Sequence, residues 1–241
     1  WNTLCSFLYG VGSIPANPMS AIGRPKQDKL LPKSPPPNAL SALLRSLDDD
    51  AGPTTNRRDW PQRDRAIILT ALLAGLRLDE LVSANVGDIR LIDDGAVIQV
   101  RGKGNKDRRV TVERPVVEVM HRYLASRDSR FPHQDGGRRR SQGATIEDWP
   151  ARAALFVGHD GDRITRYTVQ YRVERAFRRA GIDGQRAHGA LVHGLRHTFA
   201  TELARDGVSV YALMNLLGHE SLSTSQRYVQ AAGIETREAA A

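Results

Sequence analysis

The sequence predicts a mainly α-helical protein carrying one small antiparallel β-sheet, an α+β arrangement. Two observations lead there. Most of the 241 residues fall into runs whose apolar positions recur every three or four residues and stop near a glycine, which is the period and the stop signal of amphipathic helices. One stretch, AVIQVRGKGNKDRRVTV (96–112), instead joins two β-rich runs through a glycine-containing turn, the pattern of a hairpin. No internal repeat interrupts this picture, and a chain with 40% hydrophobic residues can bury a sizeable core.

Taken in order, WNTLCSFLYGVG (1–12) reads as the end of an apolar helix halted at Gly10 and Gly12. Cys5, the single cysteine, is expected there as a small core residue, since alone it makes neither an internal disulfide nor a thiolate metal site. A chain that opens at Trp1, inside a helix, is expected to be cut from a longer one. The proline- and lysine-rich stretch 15–37 reads as a semi-rigid extended linker. NALSALLRSL (38–47) is then a helix with Asn38 as its N-cap, and WPQRDRAIILTALLAGL (60–76) an apolar helix with Pro61 near its start and Gly75 near its end. A short helix, DELVSA, follows Arg77.

After the hairpin, PVVEVMHRYLASR (115–127) has helical spacing, residues 128–150 form a polar loop, and ALFVGHDGDRIT (154–165) suggests a short strand and a turn. RYTVQYRVERAFRRAG (166–181) sets Val169, Val173, Ala176, Phe177 and Ala180 on one helix face, with Arg172, Arg175 and Arg179 along another. Two further helices end at Gly207 and Gly218, and a last one carries Tyr228.

The formal net charge of +8 favours a polyanionic partner: nucleic acid, an anionic membrane surface or a phosphorylated ligand. No run approaches the ~18 apolar residues of a membrane span, and the first residues lack the flanks of a signal peptide, so a cytoplasmic protein with no membrane partner is expected.

Six residues stand out: Arg77 in AGLRLDEL, Lys103 in RGKGNKDRR, His193 and Arg196 in HGLRH, His219 in LLGHE, and Tyr228. Singly, each has an ordinary reading as a surface pair, a solvated charge, a cap or a packing residue. Together they suit one chemistry. Arg77 and Arg196 can grip a phosphodiester through bidentate forks. His193 and Arg196, three apart, project from one face of a helical turn. Tyr228 is a suitable nucleophile, but an ordinary phenol, with a pKa of about 10, needs a nearby base or cation. The departing 5′ oxygen needs a proton, which Lys103 on its hairpin can supply. A covalent phosphotyrosine would conserve the phosphodiester, so a strand could be rejoined without ATP, metal or any other cofactor.

GLRLDEL, GKGNKDRR, HGLRHTFATEL and LLGHESLSTSQRYV resemble, in order and spacing, the four signature boxes of the tyrosine recombinases, the phage integrase family. The resemblance covers roughly residues 25–230. It implies the tyrosine recombinase catalytic-domain fold over 25–241, with 1–24 the end of a preceding core-binding domain and linker. It also implies roles: Tyr228 forms the 3′-phosphotyrosine, Arg77 and Arg196 bind the scissile phosphate, and His193 and His219 assist in proton transfer and phosphate binding. Lys103 protonates the leaving 5′ hydroxyl, and Glu80 supports the pocket. Thr224 and Ser225 stand where many members have two threonines, a mild departure that keeps both hydroxyls.

The implied partners are double-stranded DNA, further copies forming a homo-tetramer on two recombination sites, and accessory or directionality proteins in a bacterial, nucleoid-associated setting. Integration or excision of a phage or other mobile element is the expected use, with Xer-type chromosome dimer resolution the alternative. Arg101, Lys106, Arg108 and Arg109 of the hairpin are expected to bind DNA phosphates; Arg172, Arg175 and Arg179 of the later helix are further candidates for DNA binding, evenly balanced, like Arg138 to Arg140, between DNA and solvent.

Three rival readings fit part of the pattern. His193 and His197 have the four-residue spacing of zinc helices, but HGLRH lacks the glutamate after the first histidine and no third ligand is evident. A non-catalytic DNA-binding module explains the charge but not the constellation. A type IB topoisomerase shares the chemistry, although the HxxR and LGH boxes read more like integrases.

Overall fold

The computed structural model describes residues 1–22, 37–49, 59–102, 107–132, 145–182, 191–219 and 221–239. The chain divides into two compact units, Trp1–Leu31 and Pro32–Ala241. The expected boundary between residues 24 and 25 lies outside the described residues. In the smaller unit, α1 (Asn2–Gly10) is the expected helix, but none of its residues is buried. Cys5 is half-buried and not a core residue: among the described residues of its own unit, no second helix or strand closes over this nine-residue helix.

The larger unit contains α2 (Pro37–Asp49), α3 (Pro61–Leu73), α4 (Leu78–Ser83), β1 (Ile89–Ile92), β2 (Gly95–Val100), β3 (Arg108–Glu113), α5 (Arg114–Arg130), α6 (Arg166–Arg179), α7 (Leu191–Arg205), α8 (Val210–Leu217) and α9 (Leu222–Ala239). Helix α2 starts at Pro37, so Asn38 lies inside the first turn and is not the cap. Proline at a helix start is favoured because its missing N–H would have no partner there.

The sheet is antiparallel in the order β1-β2-β3. Pairing of β2 with β3 runs from Gly95 opposite Glu113 to Val100 opposite Arg108, which is the expected hairpin. Strand β1 is an addition to the sequence reading: Ile92 faces Gly95, so Asp93 and Asp94 form a two-residue turn between β1 and β2. The stretch 154–165 forms two isolated pairings, Asn85 with Ala154 and Val157 with Arg163, and not a strand of its own.

Helix α3 is the centre of the larger unit. Ala66, Ile67, Ile68, Leu69, Thr70, Ala71 and Leu72 are all buried, on every side of the helix, as expected of an apolar helix packed on several neighbours at once. Those neighbours are α5, α6 and α7. Each fully buried isoleucine or leucine contributes about 1.5–3 kcal/mol.

The arginines of α6 are not a free phosphate-binding face. Arg172 is 8% exposed and reaches Asp59 and Asp64, each at 3.4 Å. Arg175 forks onto the same Asp59 carboxylate, whose pKa falls to about 2, chiefly through that hydrogen bond. Helical spacing accounts for this, since Arg172 lies three residues after Val169 and four before Ala176, both buried. An arginine on that side needs a carboxylate, and the segment leading into α3 supplies it. Arg179, further along, is exposed.

Gly75, between α3 and α4, has φ +58°, and a Cβ built there would lie 2.3 Å from Phe199 Cδ1 on α7. Gly75→Ala is therefore expected to destabilise the fold by about 1–3 kcal/mol, read as a lowered melting temperature. An unchanged melt would show that Phe199 gives way freely.

Candidate active site

Three separated stretches meet around one carboxylate. Glu80 occupies the first turn of α4 and is 7% exposed. Its Oε2 accepts the backbone N–H of Arg77 at 2.6 Å and its Oε1 accepts Arg77 Nη1 at 2.8 Å. Arg108 grips the same carboxylate with Nη1 at 2.7 Å and Nη2 at 2.8 Å. Arg196 Nη1 stands 3.9 Å from Oε2. Burial opposes ionisation of Glu80, but the hydrogen bonds and charge of Arg108 and Arg77 outweigh it and hold the pKa at about 2.

Arg108 thus has a different place from the expected one. Its side chain is 7% exposed, and Nε donates to the Leu216 carbonyl at 2.7 Å. Strand alternation explains why: Arg108 shares its face with Val110 and Val112, both buried, whereas Arg109 points out and is exposed. Arg101 is also exposed and pairs with Asp88 at 3.1 Å. Lys103 and Lys106, and the run Arg138 to Arg140, lie outside the described residues.

Arg196 on α7 is 1% exposed, and backbone carbonyls hold it from both sides. Nη1 donates to the Gly75 carbonyl at 2.5 Å and Nη2 to that of Leu217. Burial, reinforced by the Arg77 and Arg108 guanidiniums, lowers its pKa to about 10, which leaves it protonated at neutral pH. Its buried Nε has no hydrogen-bond partner among the described residues. Arg77, with 39% of its side chain exposed, donates through Nη2 to the Gly218 carbonyl at 2.9 Å. Gly218 ends α8 in the left-handed conformation, φ +61°, and turns the chain so that His219 enters the pocket.

His219 Nε2 lies 3.4 Å from Arg196 Nη2, and Nδ1 is 2.9 Å from the buried Ser225 hydroxyl. With arginine necessarily the donor, the network assigns the ring proton to Nδ1, donating to Ser225. Burial and then the Arg196, Arg77 and Arg108 charges push His219 down to about 4, so its imidazole is neutral. His193 is exposed, but partial burial of the ring and the Arg196 and Arg77 charges hold it below its usual value.

Tyr228 on α9 is 2% exposed, in a small apolar cluster with Ala200 and Leu217. Its ring stacks on His219, centroids 6.0 Å apart and planes 12° apart. Burial raises its pKa against the opposing pull of Arg196, Arg77 and Arg227. Its hydroxyl meets His197 Nδ1 at 2.6 Å. In sequence, His197 stands out only through the four-residue spacing of a zinc helix. The signal for its actual position was the four-residue spacing from His193, which puts both rings on one side of α7, centroids 4.1 Å apart. Among the described residues, no group of three histidines, cysteines or carboxylates could hold a metal ion.

The structure therefore brings together Arg77, Glu80, His193, Arg196, His219 and Tyr228 from the expected set and adds Arg108, His197 and Ser225. Residues 50–233 match the phage integrase family, and the tyrosine recombinase XerC of Pelobacter propionicus is 34% identical over 222 residues, covering 92% of this chain and 63% of that protein. The chain belongs to the phage integrase family. XerC of Alcanivorax borkumensis is likewise 34% identical, over 94% of this chain and 64% of its own length, so the integrase-family chain spans less than two thirds of these relatives. Among solved structures, the XerH recombinase in a post-cleavage complex with its difH substrate superposes with a TM-score of 0.69 at 24% identity, covering 90% of this chain and 55% of that one. The integrase of mycobacterium phage Brujita gives a TM-score of 0.53 at 25% identity, covering 96% and 67%. The fold is that of tyrosine recombinase catalytic domains.

Arg108→Ala is expected to destabilise the protein by about 3–5 kcal/mol, because it leaves a buried carboxylate half-paired. The acid limb gives a second check. The depressed Glu80 contributes stability that is complete above the ordinary carboxylate value and is lost as pH falls through about 2. Without Arg108 the Glu80 pKa rises, so circular dichroism should show acid unfolding at a higher pH than in the parent; an unchanged midpoint would count against the Glu80 assignment.

Proposed function

We propose that this chain is the catalytic part of a site-specific DNA recombinase, cutting and rejoining DNA through a 3′-phosphotyrosine on Tyr228, without metal or ATP. The observation that carries the reading is the meeting of a buried tyrosine with two arginines and a neutral histidine, drawn from boxes far apart in sequence. Arg77 and Arg196 supply fixed positive charge where a pentacoordinate phosphorus would develop negative charge. Preorganised donors of this kind typically contribute about 2.7–4 kcal/mol each. His219 adds its polarity beside them and His193 lies at the open side of the pocket. Lys103, or Lys106 after it, provides the acid for the 5′ oxygen.

The proposed partners are duplex DNA, three further copies exchanging strands pairwise across two sites through a Holliday junction, and accessory or directionality proteins, in the bacterial cytoplasm at the nucleoid. Arg101, Arg109 and Arg179, all exposed, remain the described candidates for phosphate contact. The use in the cell is integration or excision of a mobile element. A second reading, chromosome dimer resolution, is favoured by the name of the 34%-identical relatives, XerC.

The test is covalent trapping by the full-length protein on nicked duplexes, in chelator, tiled across the DNA flanking its own gene and across the chromosome's replication terminus. A covalent band from the gene flanks supports integration, one from the terminus supports dimer resolution, and no band from either counts against the enzyme. Tyr228→Phe should keep DNA binding and lose all covalent product. Lys103→Ala should slow cleavage about 10²- to 10⁴-fold and recover on a 5′-thio substrate, whose leaving group needs no acid. Failure of that recovery would move the acid role to another residue.

A further inference from the structure

In the proposed reaction Tyr228 must lose a proton as it attacks, and its surroundings limit where that proton can go. The residue is 2% exposed, and burial favours the neutral phenol. Water has little access. Among the described residues, the one side chain that hydrogen-bonds the hydroxyl is His197, Nδ1 to Oη at 2.6 Å.

The direction of that bond follows from elementary hydrogen bonding. A neutral buried phenol is a donor that requires an acceptor, and a neutral imidazole offers one on the nitrogen that lacks the ring proton. Burial, then His193 and Arg196, keep His197 unprotonated, at about 4. The groups that face it are His193 and Arg196 on its own helix and Tyr228 on α9. The His193 ring packs edge-on against it, while His193 itself sits on the exposed side and, among the described residues, makes no hydrogen bond to Tyr228.

We propose that His197 is a further catalytic residue, which takes the phenolic proton of Tyr228 during attack and returns it when the strand is rejoined; the assignment rests on the recombinase reading above. As Oη bonds to phosphorus, the bond from phosphorus to the 5′ oxygen breaks. The proton passes from Oη to Nδ1, and the general acid protonates the 5′ oxygen. In the reverse half a 5′ hydroxyl attacks, the bond from phosphorus to Oη breaks, and the imidazolium gives its proton back to the tyrosine. The bound phosphodiester, by its negative charge, stabilises the imidazolium and raises the basicity of His197 for this step.

The experiment is single-turnover cleavage by the full-length protein on the nicked duplex that traps it. His197→Asn retains an acceptor near the Nδ1 position but cannot take a proton. His197→Asn and His197→Ala should both bind DNA as the parent does and lose at least about a hundredfold in rate. A His197→Asn rate within about threefold of the parent would overturn the proposal while Tyr228→Phe still removed the product, leaving the recombinase reading intact. A second measurement needs no variant. On the 5′-thio substrate the tyrosine proton is the one that must move, so the parent rate should be level between about pH 7 and about pH 9, with His197 already neutral. A tenfold rise per pH unit across that range would mean that free hydroxide removes the proton, and would overturn the proposal. No covalent product from the parent on any duplex would overturn the proposal and the recombinase reading together.

Discussion

The grip of Arg108 and Arg77 on the Glu80 carboxylate is the contact on which the rest of the pocket depends. An isolated carboxylate at 7% exposure would be driven to the neutral acid by desolvation, and a cluster of guanidiniums without an anion would repel itself apart. Each problem solves the other. Because the carboxylate is held on α4, the forked arginine on β3, and the third arginine on α7, one charge balance locks three elements in register. The same arginines also bind the carbonyls of Gly75, Leu216, Leu217 and Gly218, which fixes the end of α8 against the sheet. Charged groups held in this way need little reorganisation on meeting an anion.

A second, partly buried network lies at the start of α3. Asp59, Asp64, Arg172 and Arg175, with Arg63 and Arg130 over the Trp60 ring, tie the entry of α3 to α5 and α6. Asp64 shows the cost of this arrangement, since burial raises its pKa in spite of the Arg63, Arg172 and Arg175 charges. The contrast with Glu80 comes from geometry. Glu80 receives four hydrogen bonds on its two oxygens from the Arg77 backbone, Arg77 and Arg108, and these outweigh its burial.

Most of the architecture was legible in the sequence, because helix period, glycine stops and the hairpin turn are local signals. Strand β1 was not: four residues, IRLI, carry too little alternation to separate a strand from a loop, and its partner is fixed only by the Asp93–Asp94 turn. The pocket residues in the signature boxes were found because their types and order are distinctive. The arginines were harder. Arg108 and Arg172 looked like surface charges, yet each sits at the period of its buried neighbours, Val110 and Val112 in one case and Val169 and Ala176 in the other. Periodicity alone places Arg172 beside the apolar face, and its burial depends on Asp59 and Asp64, which come from a distant stretch of chain. His197 was missed for a different reason, because its partner Tyr228 is 31 residues away and no local pattern links them.

In the proposed reaction, the closed setting of Tyr228 bears on the fate of the DNA strand it would hold. A phosphotyrosine ester is as open to water as to a sugar hydroxyl on chemical grounds alone, and an enzyme that let water in would leave broken chromosomes behind. Tyr228 lies against Ala200 and Leu217, with His219 stacked over its ring. A nucleophile that enters such a site must come tethered and aligned, as the end of a neighbouring strand does. On the proposed reading, the apolar seat of a single aromatic ring is what separates strand joining from hydrolysis.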